Sequence, residues 1–201
     1  MSVLVKVCGL TRADHVTAAA AAGADALGFV FAKSPREVSP RHAAEIARNV
    51  PGGVLRVAVM RHPSQAEWDA VASVFAPDVL QTDVEDFASL EVADGVERWP
   101  VYREGGESTV SASSIYLYEG PKSGHGETVD WDRAAAVAHT GNMILAGGLS
   151  PANVADAVRR VRPFGVDASS GLESAPGEKS ASKIEDFVAA AKRAAELEEA
   201  R

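Results

Sequence analysis

The chain has 201 residues, a formal net charge of −8, 46% hydrophobic and 24% charged side chains, and one cysteine. That length suits a single domain, 1–201, with a sizeable core, and the acidic balance excludes a face built for nucleic acid or an anionic membrane. The lone cysteine excludes an internal disulfide framework. No apolar run approaches a membrane span and the N-terminal MSVLVKVCG lacks the parts of a signal peptide, so a cytoplasmic location is expected.

Short β-branched runs alternate with alanine-rich helical stretches. Val3–Val7 reads as a buried strand, followed by Thr11 as an N-cap and a helix through Ala22 that ends at Gly23. Ala26–Phe31 is the second strand, and Ser39–Val50 a helix entered through Ser39-Pro40. Leu55–Met60 and Val79–Thr82 are the third and fourth strands, trailed by a helix over Ser64–Phe75 and a short one near Asp86–Val92. Trp99–Tyr102 and Ile115–Tyr118 are the fifth and sixth; the Gly- and Ser-rich Glu104–Ser114 between them predicts a degraded or missing helix. A helix over Asp130–His139, capped by Asp130, leads to strands at Ile144–Ala146 and Gly165–Ala168, with helices at Ala152–Val161 and Ser182–Glu199. Eight strands, each trailed by a helix or its remnant, predict a parallel α/β fold closed into a compact (β/α)8 TIM barrel. Such barrels average about 250 residues and manage with about 200. An open doubly wound sheet is the runner-up. It would want a glycine-rich turn after strand 1, which Cys8-Gly9-Leu10-Thr11 does not supply.

The last two strand ends carry the clearest functional signal. Asn142–Leu149 (NMILAGGL) stops on Gly147-Gly148, and Phe164–Glu173 (FGVDASSGLE) stops on Ser169-Ser170-Gly171. Strands that break into small residues leave backbone N–H groups free to face a ligand, and a short helix opening after Ser-Ser-Gly would aim its positive end at an anion. In barrels of this kind the loops after strands 7 and 8 hold substrate phosphate. Other polar residues just past strand ends are Cys8, Arg36, Arg61, Asp83, Arg103, Glu119 and Asp167. Cys8 is either a small core residue or a thiolate acting as base or nucleophile. Arg36 is either a solvated loop residue or a fork for a ligand carboxylate. Asp167, set between apolar neighbours, must find donors or a ligand.

Lys6–Thr11 (KVCGLT), Ala24–Phe31 (ADALGFVF), Ser34-Pro35-Arg36, Ala146–Leu149 with Asn153, and Val166–Glu173 (VDASSGLE) together resemble phosphoribosylanthranilate isomerase. The likeness spans nearly the whole chain and is weak from about Thr82 to Gly126. It implies a (β/α)8 enzyme of tryptophan biosynthesis that needs no cofactor or metal. The implied reaction is an Amadori rearrangement of N-(5'-phosphoribosyl)anthranilate to 1-(2-carboxyphenylamino)-1-deoxyribulose 5-phosphate by general acid and base. By match to the family, Cys8 is the base, Arg36 holds the anthranilate carboxylate, Asp167 contacts the anthranilate end, and Gly147, Gly148, Ser169, Ser170 and Gly171 bind phosphate.

The general acid is where the sequence departs. The family carries Asp at the end of strand 6, in a pattern like L-L-D-T, whereas this chain reads Ile115-Tyr116-Leu117-Tyr118-Glu119-Gly120. Glu119 is the nearest chemical substitute, because a carboxyl in a closed site can have its pKa raised enough to donate a proton. Tyr118, His125 and Asp83 remain open as alternatives; Asp83 stands where the family's Q-L-H-G has His. The expected partner is a small phosphorylated substrate, and the expected state a monomer. The contrasting reading is a catalytically degenerate barrel that keeps phosphate binding and serves as a binding or regulatory protein.

Overall fold

Side-chain alternation along eight short strands sets the architecture. In the computed structural model, which describes residues 3–106, 115–120 and 128–199, the strands are β1 (Leu4–Cys8), β2 (Ala26–Val30), β3 (Leu55–Val59), β4 (Val79–Asp83), β5 (Glu97–Arg103), β6 (Ile115–Glu119), β7 (Asn142–Leu145) and β8 (Gly165–Ala168). Each pairs in parallel with the next, and β8 returns to β1 with Lys6 opposite Asp167, closing the barrel. Because alternate residues face opposite sides, every strand carries two faces. The inner face packs Ala26, Val57, Val79, Trp99, Leu117 and Ile144 into a small apolar plug. The outer face, with Val5, Leu27, Phe29, Tyr116 and Leu145, joins the larger core beneath the helices.

Helices α1 (Ala13–Ala21), α2 (Pro40–Ile46) and α3 (Gln65–Phe75) follow β1 to β3; α4 (Trp131–Val137), α5 (Val154–Val161) and α6 (Ala181–Glu199) follow β6 to β8. Local sequence explains most of their starts. Ser39 accepts from the His42 amide with Pro40 at the first helical position, Ser64 and Glu67 form a reciprocal capping box, and Asp130 accepts from two amides of α4. Thr11 does not cap α1 as its sequence suggests. Its hydroxyl donates instead to the Gly177 carbonyl at 3.0 Å, and α1 begins after Arg12 without a side-chain cap. The helix expected near Asp86–Val92 is a 3-10 turn over Val84–Ala88. There the Asp86 carboxylate is engaged by the His62 amide and the Thr82 hydroxyl, so it anchors the loop rather than opening a helix. Most of the segment expected to lack helix 5, residues 107–114, lies outside the described residues. After β8 the chain makes a hairpin that the sequence reading lacks, β9 (Glu173–Ala175) against β10 (Glu178–Lys179).

Candidate active site

The inward-facing residues change character at the C-terminal end of the barrel. Going up the inner face, β1 runs Leu4, Lys6, Cys8; β4 runs Val79, Gln81, Asp83; β5 runs Trp99, Val101, Arg103; and β6 runs Ile115, Leu117, Glu119. Apolar side chains thus fill the lower barrel and polar ones line the mouth. The mouth encloses a cavity of about 560 Å³ whose walls include Cys8, Arg36, Gln81, Asp83, Arg103, Glu119, Gly147, Gly148, Asp167, Ser169 and Ser170. Cys8, Arg36, Asp83, Glu119, Gly147, Gly148, Asp167, Ser169 and Ser170 therefore meet at one cavity; Gly171 and Tyr118 are not in its lining.

At the β7 and β8 ends the turns are held from behind. Gly147 and Gly148 have φ of 90° and 62°, conformations that favour glycine. Asn153 fixes this turn by accepting from the Ser150 amide and donating to the Gly148 carbonyl. Gly171 serves the fold of the second turn: a Cβ there would stand 2.1 Å from the Leu149 carbonyl oxygen. The helix expected to open after Ser-Ser-Gly is a single 3-10 turn, Ser170–Leu172, so a substantial helix dipole is absent there and donors must come from individual groups. Lys179, reaching back from β10, donates to the Ser169 carbonyl and hydroxyl oxygens and to Glu173 at 2.7 Å.

Arg36 is partly committed. Its Nε and Nη2 donate to the two oxygens of Glu173, at 2.7 and 2.9 Å, so it is not a solvated loop residue, and its Nη1 is the part of the fork that Glu173 does not take. Burial pushes the Glu173 carboxyl up, but hydrogen bonds from Arg36 and Lys179 outweigh it and hold the group below the usual glutamate range. Ser169, Lys179, Glu173 and Arg36 thus form one connected chain around the β8–β2 side of the mouth.

Asp167 finds the donor that its buried position demanded. Lys6 Nζ donates to it at 3.0 Å, and both side chains are buried. For Cys8, burial pushes the thiol up and Asp167 adds to that push; the Lys6 and Lys179 ammonium groups pull it down without overcoming it, so the thiol sits above its ordinary range.

Across the mouth, Arg103 bridges two carboxylates, donating from Nη1 to Glu119 and from Nη2 to Asp83. Asp83 also faces His62 Nε2 at 3.3 Å. Glu119, the nearest chemical substitute for the family's Asp, therefore lies at the mouth with a guanidinium beside it. Tyr118 is removed from the acid candidates: it alternates onto the outer face and packs in the core beneath the helices. His125 lies outside the described residues.

Sequence reasoning missed Lys6, Lys179 and the roles of Glu173 and Arg103 as partners. Two signals were available: an apolar strand that interrupts itself with Lys6, and a strand-end arginine level with two strand-end acids.

The family described as N-(5'-phosphoribosyl)anthranilate (PRA) isomerase matches residues 5–190. The chain belongs to this isomerase family. An N-(5'-phosphoribosyl)anthranilate isomerase from Rubrobacter xylanophilus is 40% identical over 210 residues, covering 94% of this chain and 98% of its own. TrpF from Jonesia denitrificans superposes with a TM-score of 0.81 at 34% identity over 96% of this chain and 98% of its own. A phosphoribosyl anthranilate isomerase solved with reduced 1-(o-carboxyphenylamino)-1-deoxyribulose 5-phosphate has a TM-score of 0.81 at 29% identity, covering 95% and 99%. Isomerase function in tryptophan biosynthesis follows from this membership, as the resemblance implied. Among the described residues no helix is long and apolar enough to cross a membrane.

Proposed function

We propose that the cavity isomerises N-(5'-phosphoribosyl)anthranilate with Cys8 as general base and Glu119 as general acid. The backbone and hydroxyl groups at Gly147, Gly148, Ser169 and Ser170 take the phosphate, with Gly171 shaping their turn. Arg36 takes the anthranilate carboxylate, and Asp167 contacts the anthranilate end. Glu119 protonates the ring oxygen, and the ring opens to a Schiff base. The Cys8 thiolate then takes the C2 proton. The C2–H pair of electrons moves into the C1–C2 bond and the imine π pair onto nitrogen, giving an enolamine that tautomerises to the ketose. No group beyond the chain's own side chains is needed.

The single observation that carries this reading is the shared cavity. Cys8 and Glu119 come from β1 and β6 of one mouth, with the two small-residue turns of β7 and β8 between them. Arg103 ties Glu119 to Asp83 at the cavity wall, which holds the carboxyl facing the mouth. The degenerate, phosphate-binding alternative would leave Cys8 without a use.

We also assign residues 1–201 to one barrel domain working as a cytoplasmic monomer. Among the described residues the large exposed hydrophobics are Val74 in α3, Phe164 just before β8 and Leu197 in α6, which is no basis for an apolar interface.

Purified protein should consume phosphoribosylanthranilate, read as loss of anthranilate-type fluorescence. Cys8→Ala should abolish turnover and leave the circular dichroism spectrum unchanged. Absence of turnover in the wild type, with binding of a product analogue preserved, would overturn the enzyme reading in favour of the binding one.

A further inference from the structure

Lys6 is a fully buried ammonium one layer below the cavity floor. Cys8 and Asp167 line the cavity; Lys6 does not, and its side chain is 0% exposed. Strand register puts it there: on β1, Lys6 stands opposite Asp167 of β8, and Cys8, two residues on along the same inner face, stands opposite Gly28 of β2. Gly28 makes room for both side chains. A Cβ at that position would lie 2.9 Å from Cys8 Sγ and 3.2 Å from Lys6 Nζ, so sulfur and ammonium are no farther apart than those two distances laid end to end. A residue shut off from the cavity cannot touch substrate, and a lysine in an apolar barrel interior is costly unless a partner uses its charge. Asp167 is one such partner, and the sulfur is within reach as the second.

We infer that Lys6 is a positioning residue for the isomerisation, drawing the Cys8 sulfur toward the thiolate from beneath, against its burial, while it orients the Asp167 carboxylate. This inference rests on Cys8 being the base. Lys6 keeps its own protons throughout: the C2 proton moves to sulfur, and the ammonium, no longer facing a thiolate, stays balanced by Asp167. The charged groups that act on the Cys8 sulfur are Lys6 from its own strand, Asp167 from β8, Lys179 from β10 and Arg36 from the loop after β2. Burial is the largest influence and favours the thiol; among the charges Lys6 exerts the largest pull toward the thiolate, ahead of the opposing push from Asp167.

The chain has one cysteine, so ultraviolet thiolate absorbance, taken as the difference from Cys8→Ala, titrates a single group. In Lys6→Met the thiolate fraction at pH 8 should fall roughly tenfold, the scale of losing one opposite charge at close range. Turnover should drop in kcat with KM within about threefold, and should recover as pH rises. Lys6→Met leaves Asp167 buried without its partner, so Lys6→Met/Asp167→Asn, which removes both charges together, serves as the folded control and should also lose thiolate. Thiolate titrations that overlay the wild type in the folded variants would overturn the inference. Turnover that survives in Cys8→Ala would instead overturn the base assignment, whatever Lys6 does.

Discussion

The two sides of the barrel mouth handle buried charge differently. On the β8–β1 side the lysines and Glu173 stand behind the wall. Lys6 under Asp167, and Lys179 with Glu173, hold the turns and the sulfur from below, so the wall itself is glycine, serine and thiol with Asp167 and Arg36 reaching through it. On the β4–β6 side the ions are the wall: Asp83, Arg103 and Glu119 all line the cavity and are spent on one another. Charges behind a wall fix geometry and cannot trade partners with a ligand. Charges on a wall can, which suits a group that must pass a proton during turnover.

The largest effect expected on this contrast is at β6. Glu119→Gln should lower kcat by roughly 10²-fold or more, the scale of a lost general acid, while Asp83→Asn costs far less. A reversed order, read in steady-state kinetics, would move the acid from β6 to β4 and leave Glu119 as the spectator of the pair.

Gly171→Ala sharpens the other side. The new Cβ meets a backbone carbonyl at 2.1 Å, so the turn must move, and a shift of about 1 Å in a positioning element costs on the order of 10²-fold. KM should rise by about tenfold or more, and unchanged KM would show that phosphate does not use this turn.

Glu173→Gln tests whether the chain from Ser169 to Arg36 is structural. Breaking a largely buried charge pair costs about 3–5 kcal/mol, and the exposed edge of Arg36 brings the expected loss to about 2 kcal/mol at pH 7. The sign with pH is set by the carboxyl's depressed folded value. Its contribution is complete above the ordinary glutamate range and fades as pH falls through the folded value, so wild type and variant should converge in acid. Denaturant melts at pH 7 and in acid check this, and a gap that widens in acid would contradict it.

The smallest effect is assigned to Tyr118→Phe. Its hydroxyl is on the outer face, so turnover should change less than about twofold. A larger loss would mean that β6 presents its other face to the cavity.

Much of this was legible along the chain. Alternating runs such as Leu4–Cys8 and Val79–Asp83 declare strands whose odd and even residues part company, and Gly-Gly and Ser-Ser-Gly declare backbone turns open to an anion. Ser39, Ser64 and Asp130 mark helix starts because a cap hydrogen bond is local. Thr11 was misread for the complementary reason: its partner, Gly177, lies 166 residues away. Tyr118 and Glu119 are neighbours in sequence, and which of them faces inward depends on the register of a strand with neighbours on both sides.

The sequence by itself therefore determined the eight barrel strands, most helix starts and the family of chemistry, because periodicity, capping and small-residue turns act over a few residues. Closure of β8 on β1 decided the rest. It joins Lys6 to Asp167 across 161 residues, and the hairpin after β8 carries Glu173 to Arg36 across 137. A buried charge is stable only beside its partner, and which partners meet is a property of the closed barrel rather than of any local stretch of chain.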